Sequence, residues 1–457
     1  MAYTPHTAAD VEEMLRAIGA SSLDDLFRDV PPELLLKKPL DFPALTEFET
    51  ERYFEERAAE NRTLPAGRAF LGAGAYNHFI PAASYYLISR GEFMTCYTPY
   101  QAEVSQGTLQ AIFEFQSHIC ALTGLDAANA SMYDGATALA EALTMAVREK
   151  GIHLVYLPEL LHPNWRQVCE GFLREIQVEV RTIPARGAAT DFAALMESIE
   201  PASAIVIATP NCLGGIEDGA EARALADKAG ALLVAAANPT SLAILAAPAD
   251  YGADIAVGEG QALGVPLSFG GPWAGFLACR KSLIRKMPGR IVGQTRDKDG
   301  RAGFVLTLQT REQHIRRDKA TSNICTNQGL FALMVTIYVT LLGREGLAEV
   351  AETSLARTQQ LADALVGAGV AELYDAATPT FHETVLRLPI SGEEFIDRMR
   401  AERGILAGYP LARWFPALPG AENLILVNCT EVHTADDIRV YTEAASSILP
   451  HAEAARA

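Results

Sequence analysis

The amino-acid sequence predicts an α/β fold whose large domain contains a mainly parallel, doubly wound sheet. Six short apolar runs recur in the middle of the chain, and helical patterns separate the first five of them. Most of the runs are apolar rather than alternating, as a sheet that is buried on both faces requires. Regular alternation of strands with helices is typical of such parallel sheets. The predicted strands are 152–157, 178–183, 204–209, 231–237, 254–257 and 275–279, and the predicted helices are Thr137–Arg148, Trp165–Glu175, Phe192–Ile199 and Ala220–Ala229.

A helical segment, residues 1–65, is predicted to precede this domain. Four apolar residues share the spacing of one helical face, namely Val11, Met14, Leu15 and Ile18. Two prolines, Pro31 and Pro32, interrupt the helical pattern that extends to residue 60. Because proline breaks a helix interior, we expect several short helices here rather than one long helix.

The third part of the chain, residues 329–457, is predicted to contain a linking helix and a smaller α/β domain, which leaves 66–328 for the large domain. The linking helix begins with the uncharged run Gly329–Gly343. This run is shorter than the roughly 20 residues of a membrane span. Because it is apolar on all sides, we expect a fully buried helix. Beyond it, the pattern predicts strands at 383–389 and 423–429 and helices at 393–403 and 435–449.

The composition argues against several classes of protein. The 457 residues include 38 basic and 56 acidic side chains, which gives a formal charge of −18. A negative charge of this size disfavours binding to nucleic acid or to anionic membranes. The seven cysteines form no C-x-x-C pair, so neither a disulfide framework nor a bound metal is expected. The first residues do not resemble a signal peptide, and these features together favour the cytoplasm.

Candidate binding residues follow the predicted strands, because ligands of an open α/β sheet bind at the carboxyl ends of its strands. Gly135, Ala136 and Thr137 form a small turn that opens a helix. The free N–H groups of such a turn suit an anion, typically a phosphate, although many such turns only start a helix. His162 follows the next strand, where it either contacts a ligand or has a structural role.

This order of residues resembles the large domain of fold-type I pyridoxal-phosphate enzymes. The resemblance implies that Gly135–Thr137 would cup the cofactor phosphate and that His162 would stack on the cofactor ring. Two other features of those enzymes are missing. Ala235 stands where an aspartate would pair with the pyridine nitrogen, and Gln261 stands where a lysine would form the Schiff base. No lysine occurs between positions 228 and 281.

Two segments carry a more specific resemblance. One reads FMTCYTPYQAEVSQG at 93–107; the other begins GRIVG at 289, continues LTLQTREQHIRR at 306–317 and ends KATSNICTNQ at 319–328. Both resemble the P-protein of the glycine cleavage system, the decarboxylating glycine dehydrogenase, and the resemblance runs from residue 1 to about 450. A full-length P-protein consists of two homologous halves. This chain resembles the N-terminal half, which some bacteria encode separately as subunit 1.

The resemblance implies an oxidoreductase of glycine catabolism. Such an enzyme decarboxylates glycine on pyridoxal phosphate and passes the aminomethyl group to the lipoyl arm of H-protein. The cofactor lysine belongs to the other half of the family's chain. The resemblance therefore implies that pyridoxal phosphate lies on a homologous partner, subunit 2, and not covalently on this chain. The expected partners are subunit 2, lipoylated H-protein and glycine.

Fold-type I enzymes are dimers with active sites at the subunit interface, so the two motif segments are candidate loops that act in trans on the partner's site. The candidate residues are Tyr97, Tyr100, Gln101 and Glu103 in the first segment and Thr321, Ser322, Asn323 and Thr326 in the second. Alternatively, both segments are polar turns that only hold the dimer together. A basic cluster either docks an acidic partner such as H-protein or forms a solvated face; its members are Arg311, Arg316, Arg317 and Lys319.

The residues leave two other functions open. One is a self-sufficient fold-type I enzyme, such as a desulfurase or an aminotransferase, which Ala235 and Gln261 oppose. The other is a regulatory pseudo-enzyme with no catalytic partner. Co-purification with a homologous, lysine-bearing chain would distinguish the heteromeric enzyme from both.

Overall fold

The computed structural model describes residues 5–38, 40–61, 63–64, 67–320 and 322–449. It divides the chain into two units, 1–63 and 64–457. The first unit contains helices α1 (Ala8–Ile18) and α2 (Glu47–Ala59), each of which starts with a threonine capping box. The expected short helices are therefore present. None of the described residues of this unit is buried.

The large domain contains short strands and helices in alternation. Its strands are β1 (Ala127–Ala128), β2 (Leu154–Pro158), β3 (Glu179–Ile183), β4 (Ala185–Arg186), β5 (Ala189–Thr190), β6 (Ala204–Thr209), β7 (Leu232–Ala237), β8 (Ile255–Glu259), β9 (Gly275–Cys279), β10 (Ile291–Arg296) and β11 (Ala302–Thr307). Its helices are α3 (Ala82–Ile88), α4 (Gly91–Met94), α5 (Gln106–Thr123), α6 (Gly135–Lys150), α7 (Pro163–Glu175), α8 (Gly219–Ala229) and α9 (Gln313–Arg316).

A seven-stranded sheet of order β1-β9-β8-β7-β6-β2-β3 forms the centre of this domain. Strands β8, β7, β6, β2 and β3 are parallel, whereas β9 is antiparallel to both β8 and β1. Alternate residues of one strand serve the two faces of the sheet. Ile205 and Ile207 pack with α5 and α8, and Val206 packs with α6 and α7. The mainly parallel sheet with helices on both faces is the predicted one.

One predicted helix of the large domain is wrong. The segment Phe192–Ile199 forms only a 3-10 turn at Phe192–Leu195, which the Asp191 side chain caps. Pro201 follows closely and disfavours the helical conformation for the residue before it. Too few residues are therefore left for a regular helix before β6 begins.

A hairpin of β10 and β11 was not predicted. The two strands pair antiparallel over their full length. The side-chain amide of Gln116 in α5 donates to the carbonyl of Val292 at 3.0 Å and accepts from its N–H at 2.9 Å, which fixes the hairpin on α5. Leu109, Val292 and Leu306 form a small core between the hairpin and that helix.

The small domain contains the predicted strands and helices together with two short strands that were not predicted, at 372–373 and 409–410. They are α10 (Gly329–Gly367), β12 (Glu372–Leu373), β13 (Glu383–Arg387), α11 (Gly392–Arg403), β14 (Tyr409–Pro410), β15 (Leu424–Asn428) and α12 (Ala435–Ile448). The strands form an antiparallel sheet of order β12-β13-β15-β14. Helices α11, α12 and the second half of α10 contribute to its core.

Helix α10 connects the two domains and bends at Gly343, which has non-helical dihedral angles. Val335 and Tyr338 are buried in the core of the large domain, but Leu330 and Leu341 are exposed. The prediction that the run is buried on all sides was therefore wrong. Among the described helices, α10 alone is long and apolar enough to span a membrane by those two measures. Its buried face instead packs in the interior of the protein.

An extended segment, residues 67–79, runs along the small domain although it precedes the large domain in sequence. The N–H of Phe70 donates to the carbonyl of Leu406 at 2.8 Å, and its carbonyl accepts from the N–H of Asn428 at 3.1 Å. The hydroxyl of Thr430 donates to the carbonyl of Asn77 at 2.6 Å. The Phe70 ring is fully buried in the core of the small domain. This segment is therefore part of the small domain's structure.

Candidate functional site

A cavity lies at the carboxyl ends of the central parallel strands, where the sequence predicts a ligand site. Its volume is about 90 Å³, and its walls include His162, Asn211, Asn238 and Glu259. A neighbouring cavity of about 380 Å³ extends from Glu259 to Asp134 and Ala136 at the start of α6. The structure thus brings together the predicted glycine-containing turn and the predicted histidine.

Two carboxylates of this chain occupy the N-terminus of α6. The Glu259 carboxylate accepts hydrogen bonds from the backbone N–H groups of Gly135 (2.9 Å), Gln261 (3.2 Å) and Ala274 (3.1 Å). The Asp134 side chain caps the same helix. Burial raises the pKa of Glu259 to about 7; the three N–H donors oppose this rise and the nearby charge of Asp134 adds to it. The predicted anion position therefore has an occupant from within the chain.

Gln261, at the position of the absent lysine, makes hydrogen bonds with both its amide atoms. Its side-chain oxygen accepts from the N–H of Tyr76 at 2.8 Å. Its side-chain nitrogen donates to the carbonyl oxygens of Tyr76, at 2.8 Å, and of Val265, at 2.9 Å. The side chain is buried and holds the extended segment 67–79 against the large domain. Gln261 therefore has a structural role at this position.

The His162 imidazole is also held by its own chain. Its Nε2 lies 3.4 Å from the carbonyl oxygen of Ala73, and its Nδ1 accepts from the N–H of Asn164 at 3.2 Å. The ring contacts Trp414 edge-on, with a centroid distance of 4.6 Å. Burial lowers the pKa of His162. The imidazole is therefore packed against Trp414, as expected if His162 has a structural role.

Pyridoxal phosphate does not fit the residues that are present here. Ala235, at the position of the missing aspartate, lies in the core on the other face of the sheet. The residues after it line the cavity instead, namely Ala236, Ala237 and Asn238. The N–H of Gly135, which the resemblance assigns to a phosphate, is bonded to the Glu259 carboxylate instead. A Cβ atom added at Gly135 would lie 2.3 Å from the Trp165 ring, so this ring packs directly on the first residue of α6. The pocket thus lacks the lysine, the aspartate and the anion site that the cofactor requires.

A second buried acid in this pocket was not predicted from the sequence. Glu383, at the start of β13, accepts from the N–H of Ala73 at 2.6 Å and from the hydroxyl of Tyr76 at 2.8 Å. Burial raises its pKa to about 7, although both hydrogen bonds oppose the rise. The sequence offered no signal for this residue, because it belongs to the small domain and reaches the pocket only through the tertiary fold.

The two motif segments meet at a different cavity. This cavity has a volume of about 270 Å³, and residues of both segments line it, among them Tyr97, Thr98, Thr326 and Asn327. The Tyr97 ring is 78% exposed, so its hydroxyl is free to reach another molecule. The structure therefore gathers candidate residues that are more than 200 positions apart in the sequence.

The remaining candidates differ in their surroundings. Gln101, Glu103 and Asn323 are exposed. Ser322 is instead turned inward, because its hydroxyl donates to the Glu141 carboxylate at 2.8 Å. Thr321 lies outside the residues that the structure describes.

Arg290, in the second motif segment, contacts residues of both segments. It was not among the predicted site residues. It is buried, and its guanidinium donates to the Tyr100 hydroxyl at 3.3 Å and to the Asn327 side-chain oxygen at 3.4 Å. Its charged group also lies over the Tyr100 ring, 5.5 Å from the centroid. Glu312 provides the counter-charge at 3.7 Å. The available signal was its place in the GRIVG run of the second motif segment.

The predicted basic cluster is smaller than the sequence suggests. Arg311 is buried and its guanidinium donates to the backbone carbonyls of Met287, Leu308 and Gly289. It therefore fixes the turn before β10 and contributes nothing to a docking surface. The other members of the cluster are exposed. In the part of the chain that the structure describes, no group of acidic, histidine and cysteine side chains could hold a metal ion.

Comparisons with solved structures define the class of fold. The structure aligns with rice TDC solved with PLP and tryptamine, with a TM-score of 0.65 over 98% of this chain and 100% of that one, at 13% identity. It aligns with a glycine decarboxylase (P-protein) of the glycine cleavage system, solved in inhibitor-bound form, with a TM-score of 0.86. That alignment covers 98% of this chain and 100% of the other at 45% identity. The fold is that of fold-type I pyridoxal-phosphate enzymes, as the sequence predicted.

Sequence comparisons define the family. The profile described as "Glycine cleavage system P-protein" matches residues 1–440. A protein of Moorella thermoacetica named "Probable glycine dehydrogenase (decarboxylating) subunit 1" is 47% identical over 452 residues, which cover 98% of this chain and 100% of the relative. The chain belongs to the glycine cleavage system P-protein family, which confirms the family and the kind of enzyme subunit that the two motif segments predict.

Proposed function

We propose that this chain is the subunit of a decarboxylating glycine dehydrogenase that carries no cofactor. A homologous partner subunit holds pyridoxal phosphate, on which glycine loses its carboxylate, and the lipoyl arm of H-protein accepts the aminomethyl group. The observation that carries the proposal is the state of this chain's own pocket. It has Gln261 in place of the lysine, and the Glu259 carboxylate occupies the phosphate position. Such an assembly would act in the cytoplasm.

In this proposal the two motif segments complete the partner's site. Tyr97 and Thr326 line one cavity and present exposed polar groups. Arg290 holds Tyr100 and Asn327 at the edge of the same cavity. Gln101, Glu103, Asn323 and Thr321 belong to the same two segments and are further candidates for contact with the partner's substrate or cofactor. Ser322 contributes indirectly, because its hydroxyl anchors the second segment to α6.

The experiment measures glycine–bicarbonate exchange on the heteromer reconstituted from this chain and its lysine-bearing partner. Tyr97→Phe and Thr326→Ala each remove one hydroxyl. If that hydroxyl bonds to a charged group in the active site, exchange should fall by about 10- to 150-fold, the equivalent of about 1.5–3 kcal/mol. Assembly, checked by size exclusion, should be unchanged because the removed groups are small.

The matched control is Tyr86→Phe, which removes an equally exposed hydroxyl outside the two segments and should leave exchange unchanged. Full exchange by both test variants in a normally assembled complex would show that the segments only hold the dimer together. The assignment of the cofactor is tested separately on the isolated chain. Borohydride reduction with pyridoxal phosphate should yield no pyridoxyl-lysine, and a stoichiometric adduct on Lys281 or Lys286 would instead indicate a self-sufficient enzyme.

A further inference from the structure

The Glu259 carboxylate joins three parts of the chain that are distant from one another. The N–H groups that it accepts belong to the start of α6 (Gly135), to the turn after β8 (Gln261) and to the residue before β9 (Ala274). All three distances lie between 2.9 and 3.2 Å. One carboxylate thus satisfies a backbone cradle that no single local turn could form.

This cradle has the properties of an anion site. Converging backbone N–H groups at a helix N-terminus favour negative charge, both through their hydrogen bonds and through the helix dipole. α6 runs from Gly135 to Lys150, so its dipole is well developed at this end. If the carboxylate were absent, the three donors would lack a partner, and a buried donor without a partner is costly.

The cradle also has a route to solvent. The cavity of about 380 Å³ that borders Glu259 also borders Asp134 and Asn164, and Asn164 is exposed. A small anion could therefore reach the cradle if the carboxylate were removed. The Trp165 ring packs directly on Gly135 and forms one wall of this cavity.

We propose that Glu259 is a built-in substitute for a bound phosphate: its carboxylate fills the anion position at the start of α6 and excludes phosphate-bearing ligands from this chain's pocket. The lost cofactor site is thus closed by a side chain that makes the hydrogen bonds a phosphate would make. The inference rests on the geometry of this chain alone. It does not depend on which subunit carries the cofactor or on the role of the motif segments.

The test is rescue by inorganic phosphate. The thermal midpoint of the full chain is measured at about pH 8, above the raised pKa of Glu259 of about 7. Chloride is exchanged for phosphate at constant ionic strength. Glu259→Ala opens the cradle, so its midpoint should start below that of the natural chain and rise with phosphate to a plateau. The half-saturating phosphate concentration should be at least about tenfold lower than for any response of the natural chain, as one charge-assisted hydrogen bond would provide.

Two further variants complete the design. Glu259→Ser keeps one acceptor for a backbone N–H and leaves room for an anion, so it should show the same rescue if Glu259→Ala is too unstable to purify. Asp218→Ala is the matched control: Asp218 caps α8 by accepting from the N–H groups of Ala220 and Glu221, and it lines neither of the two cavities that Glu259 borders. Its midpoint should fall without any specific response to phosphate.

The outcomes separate clearly. A saturating phosphate response in the Glu259 variants, absent from Asp218→Ala and from the natural chain, would support the inference. An equal response of the natural chain would show that the anion position is open and would overturn it. A loss of stability in the Glu259 variants that phosphate does not restore would also overturn it, because the carboxylate would then be an ordinary structural acid.

Discussion

Replacing Glu383 with glutamine should flatten the dependence of stability on pH. The Glu383 side chain is buried, and among the described residues its carboxylate accepts two hydrogen bonds, from the N–H of Ala73 and the hydroxyl of Tyr76. Burial raises the pKa from 4.5 to about 7 against the opposing effect of these two bonds. Glutamine has nearly the same shape and keeps an acceptor oxygen, but it cannot ionise.

The sign and size of the effect follow from proton linkage. Because the pKa is raised in the folded state, the stabilisation is fully present below the unfolded value of 4.5 and is lost as the pH rises through about 7. The shift of 7 − 4.5 = 2.5 units corresponds to about 3 kcal/mol of unfolding free energy. The natural chain should therefore lose about 3 kcal/mol more than Glu383→Gln between about pH 4.5 and pH 8.

The assay is urea unfolding of both proteins at several pH values across this range, followed by tryptophan fluorescence, since Trp165 and Trp414 lie beside the pocket. Other groups titrate alike in both proteins, so the difference between the two profiles isolates Glu383. Glu422→Gln, which removes an exposed carboxylate, is the control and should run parallel to the natural chain. Parallel profiles for Glu383→Gln would refute the reasoning, because the carboxyl would then titrate alike in the folded and unfolded states.

Two further predictions concern packing. Val335→Asp places an unpaired charge at a site that is 1% exposed, so we expect a loss of at least about 3 kcal/mol and little soluble protein. Leu341→Asp, on the exposed side of the same helix, should express normally, and equal yields of both variants would contradict the burial described here. Gly135→Ala should lower the unfolding free energy by about 1–3 kcal/mol, because its Cβ would meet the Trp165 ring. Gly171→Ala, inside α7 with open space around it, should raise it by about 0.5–1 kcal/mol, and a loss in urea unfolding would show an unrecognised contact.

The sequence predicts the central sheet well because burial on both faces leaves a strong local pattern. The run 204–208 is apolar at every position, and its alternate residues pack in the cores on the two faces of the sheet. The hairpin of β10 and β11 was missed for the opposite reason. Its residues 293–296 and 302–303 are at least partly exposed and polar or small, so no long apolar run marks the two strands. Strands that are held by distant side-chain amides, as Gln106 and Gln116 hold this hairpin, leave little trace in local composition.

The sequence likewise predicts one part of the candidate site and not another. The absence of the lysine is evident from the sequence, because Gln261 lies between positions 228 and 281, where no lysine occurs. The role of Glu259 could not, since its hydrogen bond to Gly135 joins residues 124 positions apart. A partial signal was present: Glu259 is one of very few charged residues between 229 and 279. An isolated acid in an apolar stretch needs partners, but only the fold shows that those partners are backbone N–H groups.

The path of the extended segment 67–79 has a consequence for the order in which the chain folds. The Phe70 ring fills the core of the small domain, and Asn77 bonds to Thr430, a residue 353 positions later. At about 10 residues per second, the ribosome needs roughly half a minute to synthesise the chain between them. The sequence of the large domain is complete before Thr430 is synthesised, whereas the segment 67–79 lacks its partners until then. Completion of the small domain is therefore a late, long-range closure, of the kind that slows folding. A fragment that begins at α10 would lack Phe70, whose ring is buried in the core of the small domain.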